Sequence, residues 1–129
     1  EALRAVRAAV EMRNTLAILN REFEAGWGVR LASRIGVNTG VVAVGNMGSA
    51  RRLSYTVLGA DVNLAQRLES NAPVGGILIA HRTAELIRDR IPAVARGTLA
   101  IKGLAEEVAV YEVPVEAEPA VSAPTSASR

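Results

Sequence analysis

The chain has no cysteine among its 129 residues, which excludes disulfide bonds and metal sites built on thiolates. Its only histidine, His81, cannot build a zinc site by itself. No apolar run approaches the roughly 18 residues that a membrane-spanning helix needs, and no signal peptide is visible. A reducing compartment is therefore permitted, and any chemistry has to come from oxygen- and nitrogen-bearing side chains.

Aromatic residues make up only 3% of the chain, and the formal net charge is only +2. Proteins that bind single-stranded nucleic acids use aromatic stacking platforms and basic surfaces, so both features disfavour a nucleic-acid partner. Half of the residues are hydrophobic and 22% are charged, which is typical of a globular domain with a core. The length allows one domain at most.

The spacing of apolar residues and of turn formers predicts an α+β fold, with helices packed on a mostly antiparallel sheet. In chain order we predict a helix over 1–24, an antiparallel hairpin over 29–58 with its second strand at 53–58, a helix over 59–71, a strand over 77–80, a helix over 81–90 and a second hairpin over 94–113. From residue 114 to 129 proline and small residues without periodicity predict a disordered tail or linker.

The segment 55–67 is the most informative part of the chain. Asn63 and Arg67 are four residues apart on the predicted helix, so they share one face, which Ser70 and Asn71 extend. An amide and a guanidinium on one face suit a phosphoryl or ribose oxygen, although an ordinary solvated helix face has the same pattern. The opposite apolar stripe is predicted to comprise Val62, Ala65 and Leu68.

Three other features receive structural interpretations. Trp27 is interpreted as a packing anchor, and His81 as a structural residue because no acid or nucleophile neighbours it in the sequence. The glycines at 40 and 45 do not form a phosphate-binding loop, because Asn46 and Met47 stand where that loop requires Lys and Ser or Thr.

Five segments together resemble the catalytic domain of class III nucleotidyl cyclases, in that family's order and spacing. They are RIGVNTG at 34–40, GNMGS at 45–49, YTVLG at 55–59, VNLAQR at 62–67 and IKG at 101–103. The similarity runs over 1–113, which we predict to be a partial catalytic domain. Within that family, a threonine at the position of Thr56 resembles the pattern of the bicarbonate-responsive adenylyl cyclase subgroup.

The resemblance implies a ferredoxin-like α+β sandwich that works as a homodimer in the cytoplasm and converts ATP to 3′,5′-cyclic AMP and pyrophosphate at the subunit interface. Asn63 and Arg67 match the pair that stabilises the transition state. Thr56 matches a base-selecting position, and Arg51 and Lys102 match residues that contact the phosphates. Neither a nucleic-acid partner nor direct membrane contact is expected for this segment.

The resemblance also implies two divalent metal ions, Mg²⁺ or Mn²⁺, held by two aspartates in the complete domain. Those aspartates belong to the family's N-terminal third, which would precede Glu1, and Asp61 and Glu69 are not placed like them. We therefore expect this chain to bind no metal alone and to be inactive alone. The alternatives are a guanylyl cyclase, a non-catalytic regulatory or dimerisation module, and, less favoured, an RNA-binding domain of similar fold.

Overall fold

A computed structural model describes residues 1–40, 48–101 and 106–115, with residues 48–58 described by their backbone only. The helices and strands are α1 (Ala2–Trp27), β1 (Ile35–Val37), α2 (Gly48–Asn71), β2 (Ile77–Ala80), α3 (His81–Ile87), β3 (Val94–Leu99) and β4 (Val108–Glu112). The predicted tail over 114–129 lies almost entirely outside the described residues.

The described strands form one sheet in the order β1-β2-β4-β3. The β1–β2 pair is parallel, whereas the β2–β4 and β3–β4 pairs are antiparallel. The prediction of an α+β fold with helices on a mostly antiparallel sheet is thus confirmed.

The inner strand β2 separates two apolar clusters, because successive side chains of a strand point to opposite faces. Leu78 and Ala80 pack with α2 residues such as Leu68. Ile77 and Ile79 pack on the other face with residues of α1 and α3. The described residues therefore form three layers, with α2 on one face of the sheet and α1 and α3 on the other.

Two buried polar side chains attach α1 to other parts of the chain. Arg13 donates hydrogen bonds from its two terminal nitrogens to the carbonyl oxygens of Val113 (2.8 Å) and Pro114 (3.0 Å). The amide of Asn20 donates to the carbonyl of Leu31 and accepts from its backbone N–H, each at 2.8 Å. These bonds fix the two chain segments that leave β4 and α1.

The predicted antiparallel hairpin over 29–58 is wrong. β1 covers only three residues and pairs in parallel with β2, and residues 53–58 continue α2 instead of forming a strand. A short apolar run is compatible with either a strand or a helix. Alanine, arginine and leucine at 50–53 are good helix formers, and they favour the helix that α2 already forms downstream.

Two packing expectations also need correction. Trp27 is 80% exposed and contacts only the ring of Phe23 among the described aromatic residues, so it anchors no core. Val62 is 53% exposed, whereas Leu64 and Leu68 are buried. The apolar stripe of α2 is therefore rotated relative to the prediction, since Leu64 occupies the place expected for Val62.

No described helix is both long enough and apolar enough to cross a membrane.

Candidate active site

The polar face of α2 is solvent-exposed, as its sequence pattern predicts. Asn63, Arg67, Ser70 and Asn71 are all exposed. Leu64 and Leu68, on the opposite face, are buried against the sheet. The core contacts of α2 therefore leave an amide and a guanidinium one turn apart and open to solvent.

Arg67 also contacts the end of β3. Its Nη2 donates a hydrogen bond to the carbonyl oxygen of Ala100 at 3.3 Å. Ala100 precedes Ile101, which is 6% exposed and belongs to the cluster under α2. The structure thus brings the polar face of α2 beside the start of the β3–β4 connection, the segment that contains Lys102 in the sequence.

Asn71 closes α2 at its C-terminal end. Its Nδ2 donates to the carbonyl oxygen of Arg67 at 2.8 Å. This side-chain bond adds a further contact between the last two turns of α2. The role of Asn71 in the structure is thus to stabilise the turn that carries Arg67.

The other predicted site residues are only partly located. Arg51 and Thr56 lie within the first three turns of α2, in the stretch described by its backbone alone. Lys102 lies outside the described residues. Their roles stay predictions.

A second polar cluster lies on the other side of the sheet, at the start of α3. His81 Nδ1 is 3.3 Å from the hydroxyl of Tyr111, and its Nε2 is 3.4 Å from Oε2 of Glu85. These residues line a cleft of about 450 Å³ together with Arg88 and neighbouring apolar residues. The assumption that His81 has no acid nearby is therefore wrong, because Glu85 follows it one helical turn later.

The described part of the chain contains no site for the expected divalent metals. No group of three or more histidine, aspartate or glutamate side chains lies together among these residues. A site for Mg²⁺ or Mn²⁺ needs several oxygen ligands, so the described residues do not fit such an ion by themselves.

Comparison with known proteins relates this chain to nucleotide cyclases. Residues 1–114 match the family described as adenylate and guanylate cyclase catalytic domain. "Adenylate cyclase 1" of Rhizobium meliloti is 32% identical over 111 residues, which are 84% of this chain and 17% of that protein. "Adenylate cyclase, terminal-differentiation specific" of Dictyostelium discoideum is 36% identical over 121 residues, which are 88% of this chain and 6% of that protein.

Two crystal structures are similar over most of the chain. The adenylyl cyclase CyaB from P. aeruginosa has a TM-score of 0.73 and 38% identity, covering 92% of this chain and 61% of that one. A guanylyl cyclase has a TM-score of 0.69 and 41% identity, covering 92% of this chain and 60% of that one. The chain thus spans about three fifths of these structures and a much smaller share of the two curated relatives.

Proposed function

The chain belongs to the family of adenylate and guanylate cyclase catalytic domains, and on that premise we propose that it forms part of an active site that converts ATP to 3′,5′-cyclic AMP and pyrophosphate. The observation that carries the proposal is the exposed face of α2, where Asn63 and Arg67 lie one turn apart beside the end of β3. Relatives named adenylate or adenylyl cyclase support ATP as the substrate.

The proposed reaction is an internal displacement at the α-phosphorus of the nucleotide. The ribose 3′-oxygen forms a bond to this phosphorus, and the bond from the phosphorus to the oxygen bridging to the β-phosphate breaks. The electron pair of that bond leaves with pyrophosphate, and the proton of the 3′-hydroxyl passes to a base or to water. Negative charge therefore spreads over the phosphate oxygens as the reaction proceeds.

Arg67 and Asn63 have the chemistry that this charge distribution requires. The guanidinium of Arg67 is always charged and presents several donors in a fixed fork, which suits phosphate oxygens. Its bond to the Ala100 carbonyl is exposed and long, so a phosphate can replace it. The amide of Asn63 can donate to or accept from a ribose oxygen. Loss of one such donor costs roughly 10²–10³ in rate.

Three further residues complete the proposed substrate contacts. Thr56 contacts the base, and Arg51 and Lys102 contact the phosphates. Charge-assisted hydrogen bonds of the kind that Arg51 and Lys102 would form contribute about 1.5–3 kcal/mol each.

The metals and the second half of the site are proposed to come from outside this chain. Two divalent ions, Mg²⁺ or Mn²⁺, would neutralise charge on the nucleotide, and aspartates in another part of the catalytic domain would hold them. A homodimer would bring those aspartates of one subunit to the α2 face of the other. The proposed reaction takes place in the cytoplasm, and the chain alone is expected to be inactive.

GTP is the second candidate substrate, because the guanylyl cyclase structure is 41% identical to this chain. The hydroxyl of Thr56 can both donate and accept a hydrogen bond, so it does not by itself select adenine. Relative rates of cyclic AMP and cyclic GMP formation from ATP and GTP separate the two substrates, and we expect ATP to be preferred.

The experiment uses the complete domain, meaning this chain joined to the segment that supplies the metal-binding aspartates. Cyclic nucleotide formation is measured with Mg²⁺ and with Mn²⁺ for wild type and for Asn63→Ala/Arg67→Ala. Activity in the wild type that the double variant lacks supports the proposal. A folded wild type that is inactive with both nucleotides and both metals contradicts it and favours a non-catalytic module.

A further inference from the structure

The segment 34–40 forms one part of the contact between the sheet and α2. Gly36, Asn38 and the nearby Gly40 are two residues apart, and alternate residues of an extended chain face the same side. Ile35 and Val37, which lie between them, pack on the other side with α1. Ile35 and Val37 therefore face α1, whereas Gly36, Asn38 and Gly40 face α2.

Gly36 allows the backbone of α2 to lie directly on β1. A Cβ atom at this position would be 2.5 Å from the backbone nitrogen of Glu69 and 2.6 Å from the carbonyl oxygen of Ala65. Real Cβ atoms do not approach backbone atoms so closely, so any larger residue would push the helix away. The distance between α2 and β1 is thus set at Gly36.

Asn38 binds α2 two residues before Asn63, the first residue of the proposed catalytic pair. Its Nδ2 lies 3.1 Å from the carbonyl oxygen of Asp61 and 3.3 Å from Oδ1 of the same residue, and donates to both. Gly40 leaves the space that the Asp61 carboxylate occupies, since a Cβ there would overlap the carboxylate. Asp61 is therefore held between Asn38 and Gly40, two residues before Asn63.

We propose that Asn38 is a positioning residue that fixes the rotation and the axial position at which α2 presents Asn63 and Arg67. Apolar contacts such as those of Leu64 and Leu68 are non-directional, whereas a hydrogen bond depends steeply on distance and angle. Among the side-chain hydrogen bonds that join the described part of α2 to other segments, those from Asn38 lie nearest to Asn63 in the sequence. The inference rests on the proposed function, because it gives this contact a role in that reaction.

The neighbouring residue provides a matched control. Thr39 Oγ1 lies 2.8 Å from Oγ1 of Thr83, a buried residue of α3 on the other side of the sheet. Thr39→Val thus removes a hydrogen bond of similar kind at the same end of β1 without touching α2. A general loss of stability affects both variants, but a loss of alignment at Asn63 affects only the Asn38 variants.

The first test measures kcat and KM for cyclic AMP formation by the complete domain. Asn38→Ala is expected to lower kcat by roughly 10–100-fold, because a misplacement of about 1 Å can cost about 10²-fold. Thr39→Val is expected to keep kcat within about threefold at temperatures where both variants are folded. Equal kcat for Asn38→Ala and wild type would overturn the proposal.

An isosteric variant separates positioning from simple space filling. Asn38→Asp has nearly the same shape but no donor, and it brings a second carboxylate beside Asp61, so its kcat is expected to be at least as low as that of Asn38→Ala. Near-wild-type kcat in Asn38→Asp would overturn the proposal. If Asn38→Ala unfolds the domain, Asn38→Ser replaces it, because serine is too short to reach the Asp61 carbonyl. Equal kcat for Asn38→Ser and wild type would then overturn the proposal.

A second measurement does not depend on activity. Because the chain has no cysteine, spin labels can be attached to Ser70→Cys on α2 and Ala95→Cys on β3, both exposed positions. The distance distribution is expected to broaden or shift with Asn38→Ala and to stay unchanged with Thr39→Val. An unchanged distribution in a folded Asn38→Ala chain would overturn the proposal, whereas an inactive wild type would overturn only the proposed function.

Discussion

Nη2 of Arg67 on α2 lies 3.3 Å from the carbonyl oxygen of Ala100 at the end of β3. The two residues are 33 positions apart in sequence, and their contact is exposed to solvent. Exposed hydrogen bonds add little to stability, about 0.5–1.5 kcal/mol. Arg67 is therefore held near the β3–β4 connection by a weak contact that substrate can displace.

Replacement of Arg67 should affect activity much more than stability. In the complete domain, Arg67→Ala is expected to lower kcat by roughly 10²–10³ and the free energy of unfolding by no more than about 1.5 kcal/mol. Arg67→Lys keeps the charge but loses the fork of donors, so it should restore only part of the rate. Gln66→Ala, at an exposed neighbouring position, is the control and should leave both quantities unchanged.

Arg13 is expected to contribute to stability through its two bonds to the end of β4. Its side chain is buried, and Arg13→Met leaves the carbonyl groups of Val113 and Pro114 without these donors. The free energy of unfolding should fall by about 1–3 kcal/mol. Urea denaturation measures it, with Arg21→Met at an exposed position of α1 as the control. Equal effects of the two substitutions would contradict this role for Arg13.

The same substitution at two glycines should have opposite effects. Gly36→Ala places a Cβ against the backbone of α2, and overpacking of this kind costs about 1–3 kcal/mol. At Gly26, within α1, no atom lies within 4 Å of the added Cβ, so Gly26→Ala should stabilise the chain by about 0.5–1 kcal/mol. Thermal unfolding of both variants checks the signs, and a stabilising Gly36→Ala would disprove the close approach of α2 to β1.

The rotation of α2 can be tested by two truncations. Leu68 is fully buried, so Leu68→Ala should cost about 2–5 kcal/mol. Val62 is 53% exposed, so Val62→Ala should change the free energy of unfolding by no more than about 0.5 kcal/mol. Similar losses of unfolding free energy at the two positions would refute the observed rotation and support the apolar stripe that the sequence pattern predicts.

The C-terminal half of the fold could be predicted from local signals. The apolar run at 77–80 is preceded by Gly75 and Gly76 and followed by a helix start, and it forms the buried inner strand β2. The antiparallel pairing of β3 and β4 also follows the prediction, because strand-forming residues alternate in both segments. Here local preference and tertiary packing favour the same structure.

The sequence pattern failed where packing or neighbouring residues decide the structure. The short run at 53–58 allows two conformations, and its helical neighbours decide between them. The burial of Leu64 instead of Val62 depends on how α2 lies on the sheet, which periodicity alone does not determine. Asn63 and Arg67 were predictable as an exposed pair, whereas the contact of Arg67 with Ala100 links distant segments and required the structure.

The most direct test of the account is complementation between two inactive proteins. The complete domain with Asn63→Ala/Arg67→Ala would keep the metal-binding aspartates, and the present chain would supply an intact α2 face. If the active site lies at the interface of two subunits, mixing them should restore metal-dependent cyclic AMP formation, and the chain carrying Arg67→Ala should not restore it. Binding of the unmodified chain to the Asn63→Ala/Arg67→Ala domain is measured alongside activity. If the two proteins bind each other and no activity returns, the account is contradicted.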